Sequence, residues 1–210
     1  LMIGLTKKIF ESVSYTAKGE WKRPTGNEIM GKTLGIVGLG RIGKEVATRA
    51  KAFGMEVQAY DIYWDEEFAE QHGVRKCASP AELLASSDVV SLHCFLDENT
   101  RGLINAESIE TMKDGVVILN CARGEVVDTD ALVAALHSGK VGGYGADVLD
   151  VEPPPSDHPL FSTPNTAITT HIGSRTYESV VRQATKATQN LVNYVNGVPP
   201  VAQANVIPED

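Results

Sequence analysis

Four side chains suited to proton transfer and anion binding follow apolar stretches that are typical of buried strands. Arg123 follows one such stretch, Asp147 and Glu152 follow the next, and His171 follows a third. An unperturbed histidine titrates at about pH 6.5 and exchanges a proton near neutrality, while an arginine offers a planar fork to a carboxylate. Together these residue types predict proton transfer beside a bound anionic group.

A glycine-rich turn precedes them in the chain. Residues 34–37 form a short apolar run, and Gly38-Leu-Gly-Arg-Ile-Gly43 follows it before a helical pattern that continues to Phe53. This is the spacing of a dinucleotide-binding strand–turn–helix unit. Gly38 permits the tight turn, Gly40 lets a pyrophosphate approach the backbone, and Gly43 lets the helix pack on the strand. The free N–H groups of the helix N-terminus would hold the phosphates.

An acidic residue completes the dinucleotide pattern. A second apolar run ends at Asp61, 18 residues after Gly43. A carboxylate at this place accepts both hydroxyls of an adenosine ribose, and its charge repels a 2′-phosphate. The sequence therefore predicts NAD as the cofactor in preference to NADP.

The elements that must position these residues alternate regularly. Most of the predicted strands are continuous apolar runs, which favour a parallel sheet covered on both faces, so we predict an α/β doubly wound fold of the Rossmann type. In such a sheet, ligands bind at the carboxyl ends of the strands, where the polar residues lie. Predicted strands cover residues 74–77, 88–93, 115–120, 141–148 and 166–170, and predicted helices cover 1–17, 65–72, 80–86, 105–112, 128–138 and 176–196.

Composition excludes several classes of function. The net charge of −8 over 210 residues argues against nucleic acid as a partner, and no apolar run is long enough to cross a membrane. Cys77, Cys94 and Cys121 lack metal-ligand spacing and are interpreted as reduced thiols, so no metal site is predicted. Because no signal peptide opens the chain, we expect a cytoplasmic protein.

Four motifs in order, GLGRIG, NCARGEVVD, ADVLDVEPPP and HIGSRT, resemble the D-isomer-specific 2-hydroxyacid dehydrogenase family over about residues 18 to 197. The NCARG string is most similar to that of the phosphoglycerate dehydrogenase branch. The resemblance implies a catalytic set of Arg123, Glu152 and His171. It also implies cofactor contacts at Gly38, Gly40, Arg41, Ile42, Asp61, Asp147 and Gly173. To these contacts we add Gly43, His93, Cys121, Arg123 and His171, from their places in the loop and at the strand ends.

The implied reaction is hydride transfer between NAD(H) and a small D-2-hydroxy acid or 2-oxo acid. His171 would be the general base, Glu152 would fix its tautomer, and Arg123 would bind the substrate carboxylate. Phosphoglycerate, glycerate, lactate and bulkier hydroxy acids remain open as substrates. An NADH-sensing binding protein of the corepressor type is the alternative. The Arg–Glu–His set argues against a Rossmann protein with a different reaction, such as a methyltransferase.

Simpler interpretations of single residues also remain open. Arg123 could pair with Glu125 or Asp128 at the surface, and Glu152 could cap its own loop. His93 could pack beside the cofactor cleft, and Cys121 could pack at its strand end. The three other histidines, His72, His137 and His158, are predicted to lie on the surface.

The sequence departs from the family pattern at three places. Phe95 and Thr170 stand where prolines are common, and the separate substrate domain of the family is largely absent. We therefore expect residues 1–17 to be the remnant of an interdomain helix, 18–197 the NAD-binding domain and 198–210 the start of a return segment. This expectation makes the chain a cofactor-binding fragment with poor activity of its own. The resemblance also implies a homodimer formed through the NAD-binding domain.

Overall fold

A computed structural model describes residues 1–201, and the chain divides into two compact units, Leu1–Thr170 and a second that begins at His171. The first unit contains a seven-stranded parallel sheet in the order β3-β2-β1-β4-β5-β6-β7, which confirms the predicted fold class. The strands are β1 (Thr33–Val37), β2 (Glu56–Tyr60), β3 (Val74–Lys76), β4 (Val89–Leu92), β5 (Val116–Asn120), β6 (Val141–Ala146) and β7 (Thr166–Ile168).

Four of the helices that connect the strands begin at a side chain that caps them. The side chains of Asp65, Ser79, Asn105 and Asp128 each accept a hydrogen bond from a backbone N–H in the first turn of the helix that follows. The helices are α1 (Met2–Thr6), α2 (Ile9–Ala17), α3 (Arg41–Ala52), α4 (Glu66–His72), α5 (Pro80–Ser86), α6 (Ala106–Thr111), α7 (Thr129–Ser138) and α8 (Tyr177–Val195).

The strand order of the sheet reverses between β1 and β4. From β1 the chain adds β2 and β3 on one side, and then crosses to add β4 through β7 on the other. In open α/β sheets, ligands bind outside the carboxyl ends of the strands at such a switch point. The glycine-rich turn follows β1, and His93 follows β4, so both lie at this switch point.

Two apolar clusters cover the two faces of the sheet. Leu34 and Ile36 of β1 belong to one cluster and Val37 to the other, and all three are almost fully buried. Burial on both faces explains why the strands are continuous apolar runs. The sheet is therefore packed on both faces beneath the residues at its carboxyl edge.

The N-terminal segment differs from the single helix predicted over residues 1–17. Lys8 adopts the left-handed conformation with φ 57° and separates α1 from α2. The chain turns back so closely that a Cβ on Gly4 would lie 2.3 Å from the ring of Phe10, and Lys8 Nζ donates a hydrogen bond of 3.0 Å to Asn165 Oδ1. Leu1 and Leu5 pack against the sheet, which holds α1 in place.

The second unit begins at His171 and contains α8, whose first turn is capped by Thr176 Oγ1 accepting from the Ser179 N–H. Among residues 1–201, no helix is long and apolar enough to cross a membrane.

Most of the predicted return segment, residues 202–210, lies outside the described residues. The predicted division into three segments remains a prediction.

Candidate functional site

The glycine-rich turn is shaped by close backbone contacts. Gly38 has φ 95°, and a Cβ there would lie 2.7 Å from the carbonyl carbon of His93. A Cβ on Gly43 would lie 2.1 Å from the carbonyl oxygen of Gly38. Two of the three glycines are thus required by the fold itself, whether or not a ligand binds.

Gly40 differs from these two glycines. Its φ of −72° suits any residue, and an added Cβ would meet no protein atom within 4 Å. It stands at the N-cap of α3, next to the exposed residues Arg41 and Ile42. Open space above bare backbone at a helix N-terminus fits the pyrophosphate of a dinucleotide, since a side chain at this position would fill that space.

Asp61 is tied to the same turn. Its Oδ2 accepts a hydrogen bond of 2.6 Å from the Leu39 N–H, and its Oδ1 accepts one of 2.7 Å from the Tyr63 N–H. Each carboxylate oxygen has two lone pairs, so both retain capacity for a ribose hydroxyl. The predicted ribose contact is compatible with this arrangement, and Asp61 also fixes the position of the loop.

His93 lies against the turn on the β4 side. Its Nε2 is 2.9 Å from Ser91 Oγ, while its Nδ1 is buried and has no partner among the described residues. Burial lowers the pKa of His93 to about 4, so the ring is neutral at pH 7. A buried polar atom without a partner is unusual, and here it fits a site that a polar ligand completes.

Arg123 is presented by a turn that Asn120 holds. Asn120 is fully buried, and its amide donates to the Arg123 carbonyl oxygen at 2.9 Å and accepts from the Ala122 N–H at 3.0 Å. The Arg123 guanidinium donates to the Ala122 carbonyl oxygen at 2.7 Å and is exposed. Asn120 is not among the residues predicted for the site, although a polar residue at the end of an apolar strand is a usable signal.

Asp147 lies beyond the end of β6, beside β5. It is 8% exposed, its N–H donates to the Asn120 carbonyl oxygen at 3.0 Å, and its Oδ1 accepts a hydrogen bond from Thr169 Oγ1. This anchoring holds a carboxylate at the carboxyl edge of the sheet. It suits the predicted contact with the cofactor, which remains a prediction.

The three cysteines are free thiols in this structure, where Cys77 is buried, Cys94 is half-buried and Cys121 is exposed. Burial raises the pKa of all three, to about 11 for Cys94, and the charge of Asp147 raises that of Cys121 further. Neutral thiols are weak nucleophiles. Cys121, at the end of β5, is exposed, and its raised pKa disfavours the reactive thiolate form.

Glu152 is exposed and lies in the bend after β6. Its Oε1 accepts a hydrogen bond of 3.0 Å from the Leu149 N–H. The same bend touches the Arg123 turn, because a Cβ on Gly124 would lie 2.0 Å from the carbonyl carbon of Leu149. Arg123 and Glu152 are thus carried by two backbone segments in direct contact.

The histidines are distributed differently from the prediction. His158 is only 5% exposed, which contradicts its interpretation as a surface residue, because it hydrogen-bonds to Asp150 and packs against Phe161. His137 is exposed and His72 is half-buried against Phe68.

His171 opens the second unit, three residues after the end of β7. It has φ 55°, a left-handed conformation that histidine adopts more readily than most residues and that is concentrated at functional sites. Gly173 follows it within the HIGSRT motif. The structure thus places Arg123, Asp147 and Glu152 at one sheet edge in the first unit, and His171 and Gly173 at the start of the second.

Comparison with known proteins identifies the sequence pattern. The model of the D-isomer specific 2-hydroxyacid dehydrogenase NAD binding domain matches residues 1–173. The chain is 42% identical over 189 residues to a D-3-phosphoglycerate dehydrogenase of Bacillus subtilis, covering 89% of the chain and 36% of that protein. It is 39% identical over 208 residues to a glyoxylate reductase of Korarchaeum cryptofilum, covering 95% of the chain and 62% of that protein.

Solved structures agree with the fold. The D-mandelate dehydrogenase of Rhodotorula graminis, in its holo form, superposes with a TM-score of 0.91 at 30% identity, over 100% of this chain and 64% of that one. The chain therefore spans between about a third and two thirds of the length of these relatives.

Proposed function

The chain belongs to the D-isomer-specific 2-hydroxyacid dehydrogenase family, and we propose that it provides the NAD-binding part of an enzyme that interconverts a D-2-hydroxy acid and its 2-oxo acid. The cofactor of the matched domain is NAD(H). The observation that carries the proposal is that Arg123 and Glu152 follow β5 and β6, at the same sheet edge where β1 carries the glycine-rich turn. The relatives compared are named as dehydrogenases and reductases, which does not favour the NADH-sensing alternative.

The proposed chemistry divides between the cofactor and the side chains. Bound NAD⁺ supplies the hydride acceptor, so oxidation moves the C2 hydride of the substrate to the nicotinamide. His171 takes the hydroxyl proton as the C2 carbonyl forms, and returns it in the reverse direction. Arg123 binds the substrate carboxylate through its planar guanidinium, and Glu152 is proposed as the acid of the catalytic set.

Cofactor selectivity is assigned to Asp61, and cofactor orientation to Asp147. Asp61 adjoins the glycine-rich turn through the Leu39 N–H, where a 2′-phosphate would meet its negative charge. Asp147, held by Thr169, would accept a hydrogen bond from the nicotinamide carboxamide and set the face that is presented. We infer NAD(H) in preference to NADP(H).

Two experiments test these assignments. Calorimetric titration of the 210-residue chain with NADH and NADPH should show preferential NADH binding, and equal affinity for the two would contradict the role of Asp61. For turnover, the full-length protein is assayed by NADH absorbance against a panel of 2-oxo acids that includes phosphohydroxypyruvate, glyoxylate and pyruvate. His171→Asn should lower kcat by about 100-fold or more, and full activity in that variant would refute the mechanism.

We also propose the activity of the chain on its own, its oligomeric state and its location in the cell. The 210-residue chain alone should bind NADH but turn over 2-oxo acids poorly, and an ordinary enzymatic rate would contradict that. A homodimer formed through this part of the chain would cover exposed apolar side chains such as Val13, Trp21 and Met30, and light scattering would measure it. A cytoplasmic location is checked by fractionating the source cells.

A further inference from the structure

The loop between β6 and β7 contains a buried histidine that the proposed reaction does not use. His158 Nε2 lies 2.9 Å from Asp150 Oδ1, and its Nδ1 accepts a hydrogen bond of 3.3 Å from the Leu160 N–H. Because Nδ1 is the acceptor, the proton of the neutral ring lies on Nε2 and is donated to Asp150. The ring is therefore fixed at both nitrogens.

Asp150 connects this histidine to the neighbouring helix. Its Oδ2 accepts a hydrogen bond of 3.1 Å from Thr129 Oγ1 at the start of α7. Burial acts to raise the pKa of Asp150, but the hydrogen bonds from His158 and Thr129 outweigh it, so the net pKa is lowered and the group is a carboxylate at pH 7. An ionised acceptor makes both hydrogen bonds stronger than neutral ones.

The backbone of Asp150 contacts the turn that carries Arg123. Its nitrogen would lie 2.1 Å from a Cβ on Gly124, so it rests directly against the turn that carries Arg123. One residue earlier, the Leu149 N–H donates to Glu152 Oε1 at 3.0 Å. A displacement of Asp150 would thus move the support of both Arg123 and Glu152.

We propose that His158 is a positioning residue: through Asp150 it fixes the bend that holds Glu152 and supports the Arg123 turn. This inference rests on the proposed function, since that function gives Arg123 and Glu152 their roles in turnover. His158 itself touches no reacting atom in this proposal. A misplacement of reacting groups by about 1 Å costs up to about 100-fold in rate, so a buried support can control turnover from a distance.

Two substitutions at His158 separate its two hydrogen bonds. In His158→Gln the amide nitrogen can replace the Nε2 donor to Asp150, whereas in His158→Asn the shorter side chain can replace only the Nδ1 acceptor. In the full-length protein, we expect His158→Asn to lower kcat by about 10- to 100-fold with the KM for NADH within about twofold, and His158→Gln to stay within about threefold of wild type. His137→Asn, at an exposed histidine of α7, is the matched control and should change neither constant.

A second readout does not depend on activity. In the 210-residue chain, amide hydrogen exchange at Leu149, whose N–H is bonded to Glu152, and at Val126, whose N–H is bonded to the Arg123 carbonyl oxygen, should be faster in His158→Asn than in His158→Gln. Thr129→Val, which removes the other hydrogen bond to Asp150, should accelerate exchange at Leu149 in the same way.

The outcomes distinguish this inference from the proposed function. If wild type turns over 2-oxo acids and His158→Asn matches it in kcat and amide exchange, the positioning role is refuted, even if the melting temperature falls. Equal loss of kcat in the asparagine and glutamine variants would also refute it, because the Asp150 contact would then be irrelevant. If wild type turns over no 2-oxo acid, the proposed function fails and the kinetic role of His158 falls with it, while the exchange data still decide whether His158 fixes the bend.

Discussion

Gly40 caps α3 and Gly43 lies in its first turn, yet alanine should lower NADH affinity at the first position and stability at the second. At Gly40 the added methyl group meets no protein atom within 4 Å, and its φ of −72° is ordinary. At Gly43 the methyl group would lie 2.1 Å from the Gly38 carbonyl oxygen, far closer than the 3.4 Å at which ordinary contact begins. The first change is tolerated by the fold and the second is not.

The magnitudes follow from these contacts. In Gly40→Ala the methyl group occupies the space proposed for the pyrophosphate and costs a charge-assisted hydrogen bond of about 1.5–3 kcal/mol, equivalent to about a 10- to 100-fold weaker NADH affinity. In Gly43→Ala the overlap is with backbone, so the strand and helix must separate, at a cost of about 1–3 kcal/mol. For a chain of this size, that lowers the Tm by about 2–12 °C.

The assay is calorimetric NADH titration combined with thermal unfolding, performed on both variants and on wild type. Gly40→Ala should keep the wild-type Tm and lose affinity, and each variant serves as the control for the other. Wild-type affinity in Gly40→Ala would refute the placement of the pyrophosphate. A wild-type Tm in Gly43→Ala would refute the argument that this glycine is required by helix–strand packing.

Three other residues give sharp expectations. Asp61→Asn should improve NADPH affinity relative to NADH by about tenfold, measured as a ratio of Kd values, because it removes the charge that repels a 2′-phosphate; an unchanged ratio would contradict this. Burial lowers the pKa of His93 to about 4 from an ordinary value of 6.5. Between these two pH values the unfolded chain binds a proton at His93 that the folded chain does not. The free energy of unfolding is therefore at its full value above pH 6.5 and falls as the pH is lowered toward 4. Urea unfolding should therefore show a loss on the order of 3 kcal/mol across this window in wild type that is missing in His93→Phe. Asn120→Ala should lower the free energy of unfolding by about 2–4 kcal/mol, because it leaves the Ala122 N–H and the Arg123 carbonyl oxygen without their partner, and a loss below about 0.5 kcal/mol would show that Asn120 does not hold that turn.

The fold was predictable where local and tertiary signals agree. From β1 to α3, the apolar run, the glycines and the helical pattern all favour one arrangement, and the predicted elements match the structure closely. The break at Lys8 was not predictable, because it depends on contacts with Phe10 and with Asn165, which is 157 residues away. No local pattern encodes such a partner.

In the candidate site, too, some residues were predictable from the sequence and others were not. Arg123, Glu152 and His171 were predicted because their residue types can do chemistry and because each follows an apolar strand. The burial of His158 was missed because proline and polar residues surround it, and only the folded loop brings it to Asp150 and Phe161. Supporting residues of this kind lack a reactive signature, so sequence patterns predict candidate reacting groups more readily than the residues that hold them in place.

The contact of Gly124 with Leu149 and Asp150 also matters for engineering. Because the two backbones meet without a side chain between them, the turn at residues 122–126 and the bend at 147–150 form one inseparable block. A chimera that imports either segment from a relative with a different path would collide with the segment left behind. Recombination of this domain with its relatives should therefore exchange both segments together, and place its crossover points outside them.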